Sequence, residues 1–174
     1  MMKSSIIAIA LAGGMIASQA SAATVSVDVY AKKDSVSNAV LTGANTGLSV
    51  VAGHTYEIKV DPTDTWRIGT NLPRHEGNAD GMTATRLYTL FGQTFNHGTL
   101  VGRIGEGAFF EVGTYFRGIA SASGALKLFM WDKNYRDNSG LVTASVAPVP
   151  LPAGAPLLAS AVLGAFALRR RKSA

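Results

Sequence analysis

The sequence predicts an all-β protein, a sandwich or jelly roll of about eight short strands set between two targeting segments. Three observations predict it. Apolar residues in the middle of the chain alternate at period two, not at the 3.6-residue period of a helix. The alternating runs are short and bounded by Gly, Asn, Asp and Pro clusters, residues that accept turn geometry. Each end of the chain instead carries one apolar stretch with a basic flank.

Residues 1–22 read as a secretory signal peptide. Lys3 supplies the positive charge, residues 6–16 the apolar run, and Ala20-Ser21-Ala22 a small-x-small cleavage site for signal peptidase. The apolar run falls short of the roughly 20 residues that span a bilayer, which argues against a retained anchor. Ala23 is then the first mature residue.

Residues 23–147 form the predicted β-domain. Val25-Ser26-Val27-Asp28-Val29-Tyr30 alternates cleanly. Residues 48–50 and 56–60 read as strands joined by a turn at Ala52-Gly53-His54, which leaves His54 exposed. Residues 100–104 and 109–112 read as a pair around Gly105-Glu106-Gly107, and residues 125–131 and 141–146 as a last pair. Between 61 and 96, Pro62, Gly69, Pro73, Gly77 and Gly81 punctuate a long irregular loop, the place on a β-scaffold where binding groups usually sit.

Residues 148–174 form a tail. Val149-Pro150-Leu151-Pro152-Ala153 is followed by an apolar run, read as a single helix, and then by Arg169-Arg170-Arg171-Lys172. Apolar residues followed by cations make a membrane stop, with the cations on the cytoplasmic side. This tail resembles the VPLPA-CTERM sorting signal, a variant of the PEP-CTERM class, in its motif and in the order of motif, apolar stretch and arginines. The resemblance implies processing by an exosortase in a Gram-negative bacterium. It also implies passage from the inner membrane to the cell surface or extracellular matrix.

The charge distribution narrows the partners. Of 16 basic residues, five (Lys3, Arg169, Arg170, Arg171 and Lys172) lie at the ends, and those that remain equal the 11 acidic residues. A neutral domain lacks the basic footprint that a phosphate backbone requires, so nucleic acid is not an expected partner. With no cysteine, disulfides, thiolate metal sites and cysteine nucleophiles are excluded. His75 and His97 lack zinc-ligand spacing, and no serine, histidine and aspartate carry a hydrolase signature. The protein is therefore read as a non-enzyme.

The densest polar cluster is Trp131-Asp132-Lys133-Asn134-Tyr135-Arg136-Asp137-Asn138-Ser139-Gly140. Its carboxylates and amides are hard oxygen ligands of the kind calcium takes, yet the same residues dominate ordinary turns. Composition leaves the two readings equally open. The EF-hand pattern fails, because Arg136 and Asp137 stand where it needs an oxygen ligand and a glycine. Trp131 reads as core, and Trp66 stands evenly between core and a sugar-stacking role.

The stretch Thr46-Gly47-Leu48-Ser49-Val50-Val51-Ala52-Gly53, then Trp66, Leu100-Val101-Gly102-Arg103-Ile104-Gly105, and Asp132 with Asp137-Asn138-Ser139-Gly140 occur in one order. That order resembles the bacterial calcium-dependent galactophilic lectins, across about residues 46–146. The resemblance implies a galactose-binding-like jelly roll in which Asp132, Asp137 and Asn138 hold calcium and the ion takes two sugar hydroxyls. It implies a carbohydrate site of Trp66, His75, Asn78, Asp132 and Asp137, with exopolysaccharide as partner. The chain departs from the pattern in three ways. Its final loop is shorter by about two residues, Asp137 replaces an asparagine, and His75-Glu76-Gly77-Asn78 lacks the family's proline. The competing expectation is a structural surface or biofilm-matrix protein with a calcium-stabilised sandwich and no sugar binding.

Overall fold

The computed structural model describes residues 23–38, 40–69, 75–82 and 87–150. The predicted signal peptide, the apolar helix and the sorting residues Leu151, Pro152, Ala153, Arg169, Arg170 and Arg171 lie outside them. The described chain is all-β, as the alternation predicts. Its strands are β1 (Val25–Tyr30), β2 (Ala44–Val50), β3 (Thr55–Val60), β4 (Trp66–Arg67), β5 (Glu76–Gly77) and β6 (Leu87–Leu90), followed by β7 (Gln93–Asn96), β8 (Leu100–Ile104), β9 (Phe109–Glu111), β10 (Tyr115–Ile119), β11 (Gly124–Met130) and β12 (Ser139–Pro148).

Two sheets face each other. β12 is the spine of the first. It pairs antiparallel with β1 from Leu141 to Val146, with β3 from Ala144 to Pro148, and at its start with β4 through Ser139 and Gly140. β10 extends this sheet beyond β3, and β5 extends it beyond β4. The second sheet runs β2-β11-β8-β9. Alternation then decides the core. Val29, Ile58, Val142, Ala144 and Val146 from the first sheet pack with Leu126, Leu128, Met130 and Leu100 from the second. Fully burying a side chain such as Ile58 or Leu128 contributes about 1.5–3 kcal/mol, so this layer supplies much of the driving force.

The intervening residues of β11 face the other way. Phe129 and Trp131 join Val36, Val101 and Phe109 in a second buried cluster on the outer face of the same sheet. The β6–β7 hairpin covers that face with Tyr88, Leu90 and Phe95. Phe95 meets Trp131 edge-on at 4.9 Å, and the Trp131 indole N–H donates to the Tyr88 carbonyl at 2.9 Å. The hairpin closes through Phe91 and Gly92, both at positive φ (51° and 75°), as a two-residue turn that matches the twist of its strands requires.

Two expectations are corrected. β11 and β12 are not a pair; they lie in opposite sheets, because period-two alternation fixes which face is apolar and not which strand is the neighbour. Likewise, the turn at Ala52-Gly53-His54 carries the chain from one sheet to the other. The long irregular loop contains β4, β5 and the β6–β7 hairpin. His54 is exposed, and Trp131 is core.

After β1 the chain tucks Asp34 out of water. Its Oδ2 accepts from the Tyr30 amide at 2.9 Å, its Oδ1 has no hydrogen-bond donor, and Lys33 Nζ stands 3.9 Å away. Burial pushes the Asp34 carboxyl above its usual range, and the Tyr30 N–H and Lys33 only partly offset this. In the window between the ordinary and the raised value the folded state binds more protons than the unfolded one. Stability contributed by Asp34 is therefore lost as pH rises through that window. Asp34→Asn removes the titration, so in denaturation curves the stability of wild type relative to this variant should fall as pH rises above the ordinary carboxylate range. A difference that stays constant with pH would contradict the assignment.

Candidate functional site

The connection from β11 to β12 is built around one buried carboxylate. Asp132, just beyond β11, exposes 1% of its surface. Its Oδ1 lies 2.6 Å from His97 Nε2, and its Oδ2 accepts from Asn138 Nδ2 at 2.8 Å. The chain between Asp132 and Asn138 makes one turn of 3-10 helix, Tyr135–Asp137, in which the Arg136 amide donates to the side chain of the capping Asn134. That turn brings Asn138 back beneath Asp132. The same Asn138 amide donates to the Ala31 carbonyl at 3.2 Å and so ties the node to the end of β1.

His97 follows directly on β7, so the covering hairpin delivers it to Asp132. Its ring packs edge-on against Tyr88 at 4.4 Å, and Lys133 Nζ lies 4.9 Å from the Tyr88 ring centre. A buried carboxylate is costly without a partner. Among the described residues, His97 is the one basic group within ion-pair distance of Asp132. No local signal pointed to His97, because its partner lies 35 residues away in sequence.

The predicted metal set is divided. Asp132 and Asn138 share the buried node, and Asn138 Oδ1 is buried with no donor. Asp137 is exposed and turns to the β4–β5 connection. A Cβ built on Gly69, which has φ +73°, would lie 3.2 Å from Asp137 Oδ2 and 3.4 Å from His75 Nδ1. Asp137 and His75 thus flank one glycine whose missing side chain lets them approach. Among the described residues, no three His, Asp or Glu side chains converge as a metal site. Any ion there must draw on amide and main-chain oxygens, which calcium accepts.

The predicted sugar-contacting residues divide as well. Trp66 is a correction: it is 1% exposed, its indole N–H donates to the Gly98 carbonyl at 3.0 Å, and it has no face to offer a ring. As a strand residue paired to β12 it points into the core. Asn78 uses its amide inside its own loop, donating to Pro62 O at 3.2 Å and accepting from the Asp80 amide at 3.0 Å. His75 is half-buried beside Asp137.

No family model and no curated protein matches the chain. Among solved structures it is similar to one titled "EclA N-terminal domain; PllA-like lectin", with 27% identity and a TM-score of 0.54. The match covers 72% of this chain and 96% of that one. The fold is a lectin-like sandwich. The match takes in nearly the whole of that lectin domain.

Proposed function

We propose that the domain is a surface-displayed carbohydrate-binding module. The reading is carried by the likeness to a lectin domain along almost its full length, combined with a buried polar node at the β11–β12 connection. Calcium is its proposed ion. The donor chemistry suits it: a carboxylate, an amide oxygen without a donor and neighbouring carbonyls are all hard oxygens. Asp132 and Asn138 would hold the ion, with Asp137 added from the exposed side. A bound calcium would supply coordination positions that sugar hydroxyls can fill. His75, next to Asp137, is placed to bond a further hydroxyl. Affinity per site would be weak, roughly micromolar to millimolar, so attachment to exopolysaccharide would rely on many copies.

The tail completes the reading. We propose export through signal peptidase cleavage after Ala22, and release from the inner membrane by an exosortase acting on the Val149–Ala153 motif. The product would sit at the cell surface or in the matrix of a Gram-negative bacterium. Intact-mass measurement of the protein from such a host should give a chain that starts at Ala23 and lacks Arg169, Arg170 and Arg171. A mature chain that retains them would rule out this processing.

One observation favours the structural alternative. Both Asp132 oxygens already have partners inside the fold, as a residue kept for stability would have. Binding to exopolysaccharide with calcium present and then chelated separates the two. The lectin reading predicts binding that disappears on chelation and in Asp132→Ala. Because Asp132 is buried, the exposed Asp137→Ala serves as the second variant. It should weaken binding at least several-fold while leaving the melting temperature in chelator unchanged. Absent binding, or binding indifferent to chelator and to both variants, would leave the structural role.

A further inference from the structure

Beside Asn138, the end of β1 and the start of β12 line a wide-mouthed cavity of about 480 Å³. Its walls are Tyr30, Lys32, Lys33, Asn38, Tyr135 and Asn138, closed by the first residues of β12. Asn138, whose Oδ1 has no donor, belongs to both the buried node and this wall. The cavity therefore adjoins the proposed sugar site.

We propose that this cavity binds an acidic sugar, a uronate residue of a polysaccharide, beside the sugar held at the node. The inference rests on the carbohydrate-binding reading and names its ligand class. Two features carry it. The first is charge. Lys32 has no carboxylate partner among the described residues, and Lys33 has only the buried Asp34 at 3.9 Å. Two exposed ammonium groups thus stand at one cavity, and a carboxylate pairs with them favourably.

The second feature is aromatic. Tyr30, 42% exposed, and the half-buried Tyr135 present ring surface to the same space, which suits the apolar face of a pyranose. Lys33 Nζ lies 5.1 Å from the Tyr30 ring centre, so cation and stacking surface are already assembled together. A pyranose that carries an apolar ring face and one carboxylate meets both.

The test is calorimetric titration of the refolded mature domain, in calcium and about 0.15 M salt, with three probes. These are an oligogalacturonate, its methyl ester, which keeps the rings and removes the charge, and a neutral galacto-oligosaccharide. The oligogalacturonate should bind about tenfold more tightly than its ester. Lys32→Glu/Lys33→Glu should abolish that preference while leaving the neutral oligosaccharide affinity unchanged. Tyr135→Ala should weaken acid and ester alike. Equal affinity for acid and ester, or a preference that survives the charge reversal, would overturn the acidic-sugar site and leave the neutral-sugar reading standing. Failure of all three probes would overturn both.

Discussion

A carboxylate almost without contact with water has to be paid for by its neighbours, and Asp132 sets what those neighbours are. One oxygen faces His97 and the other receives the Asn138 amide. His97 is the residue at which the covering hairpin ends; Asn138 is the residue from which β12 begins, and it also reaches the Ala31 carbonyl beyond β1. Removing the carboxylate would leave the half-buried His97 ring nitrogen without its partner, at about 1–3 kcal/mol, and take one of its acceptors from the buried Asn138 amide. The end of β7 and the start of β12 meet on this one side chain, and Asn138 links them to the end of β1, so the geometry of the loop end follows from it.

The layered packing makes such a node possible. β11 is apolar on both faces, with Leu126, Leu128 and Met130 turned to the opposite sheet and Phe129 and Trp131 turned outward. A strand buried on both sides needs a third layer, and the β6–β7 hairpin provides it. The hairpin thereby holds Tyr88 against His97 and His97 against Asp132. The same element that shields the aromatic cluster positions the polar site, which couples stability of the outer layer to the arrangement of the candidate binding residues.

Much of this was legible in the sequence, and the rest was hidden for identifiable reasons. Val25–Tyr30, the pair around Gly105-Glu106-Gly107 and the core role of Trp131 follow from alternation and turn chemistry, which are local. The lectin-like sandwich was legible through the order of a few motifs. The sheet partners of β11 and β12 were not, because alternation says nothing about neighbours. β10 escaped because Tyr115 and Ile119 are exposed apolar residues, which blur its pattern. The β6–β7 turn escaped because Phe91-Gly92 lacks the Asn-Gly signature although it adopts the same positive φ angles. Asp132 and Asn138 were legible as polar residues of one short loop. His97 was not, and Trp66 was left open between core and a sugar-stacking role, because both depend on which distant part of the chain each side chain meets.

The claim that Asp132 and His97 form one structural unit is open to a direct measurement. A double-mutant cycle of Asp132→Ala and His97→Ala, followed by urea denaturation in chelator, isolates their interaction from any ion. A buried hydrogen bond to a charged group predicts a coupling of about 1–3 kcal/mol, with the double variant less destabilised than the sum of the singles. Single effects that add to within about 0.5 kcal/mol would contradict it.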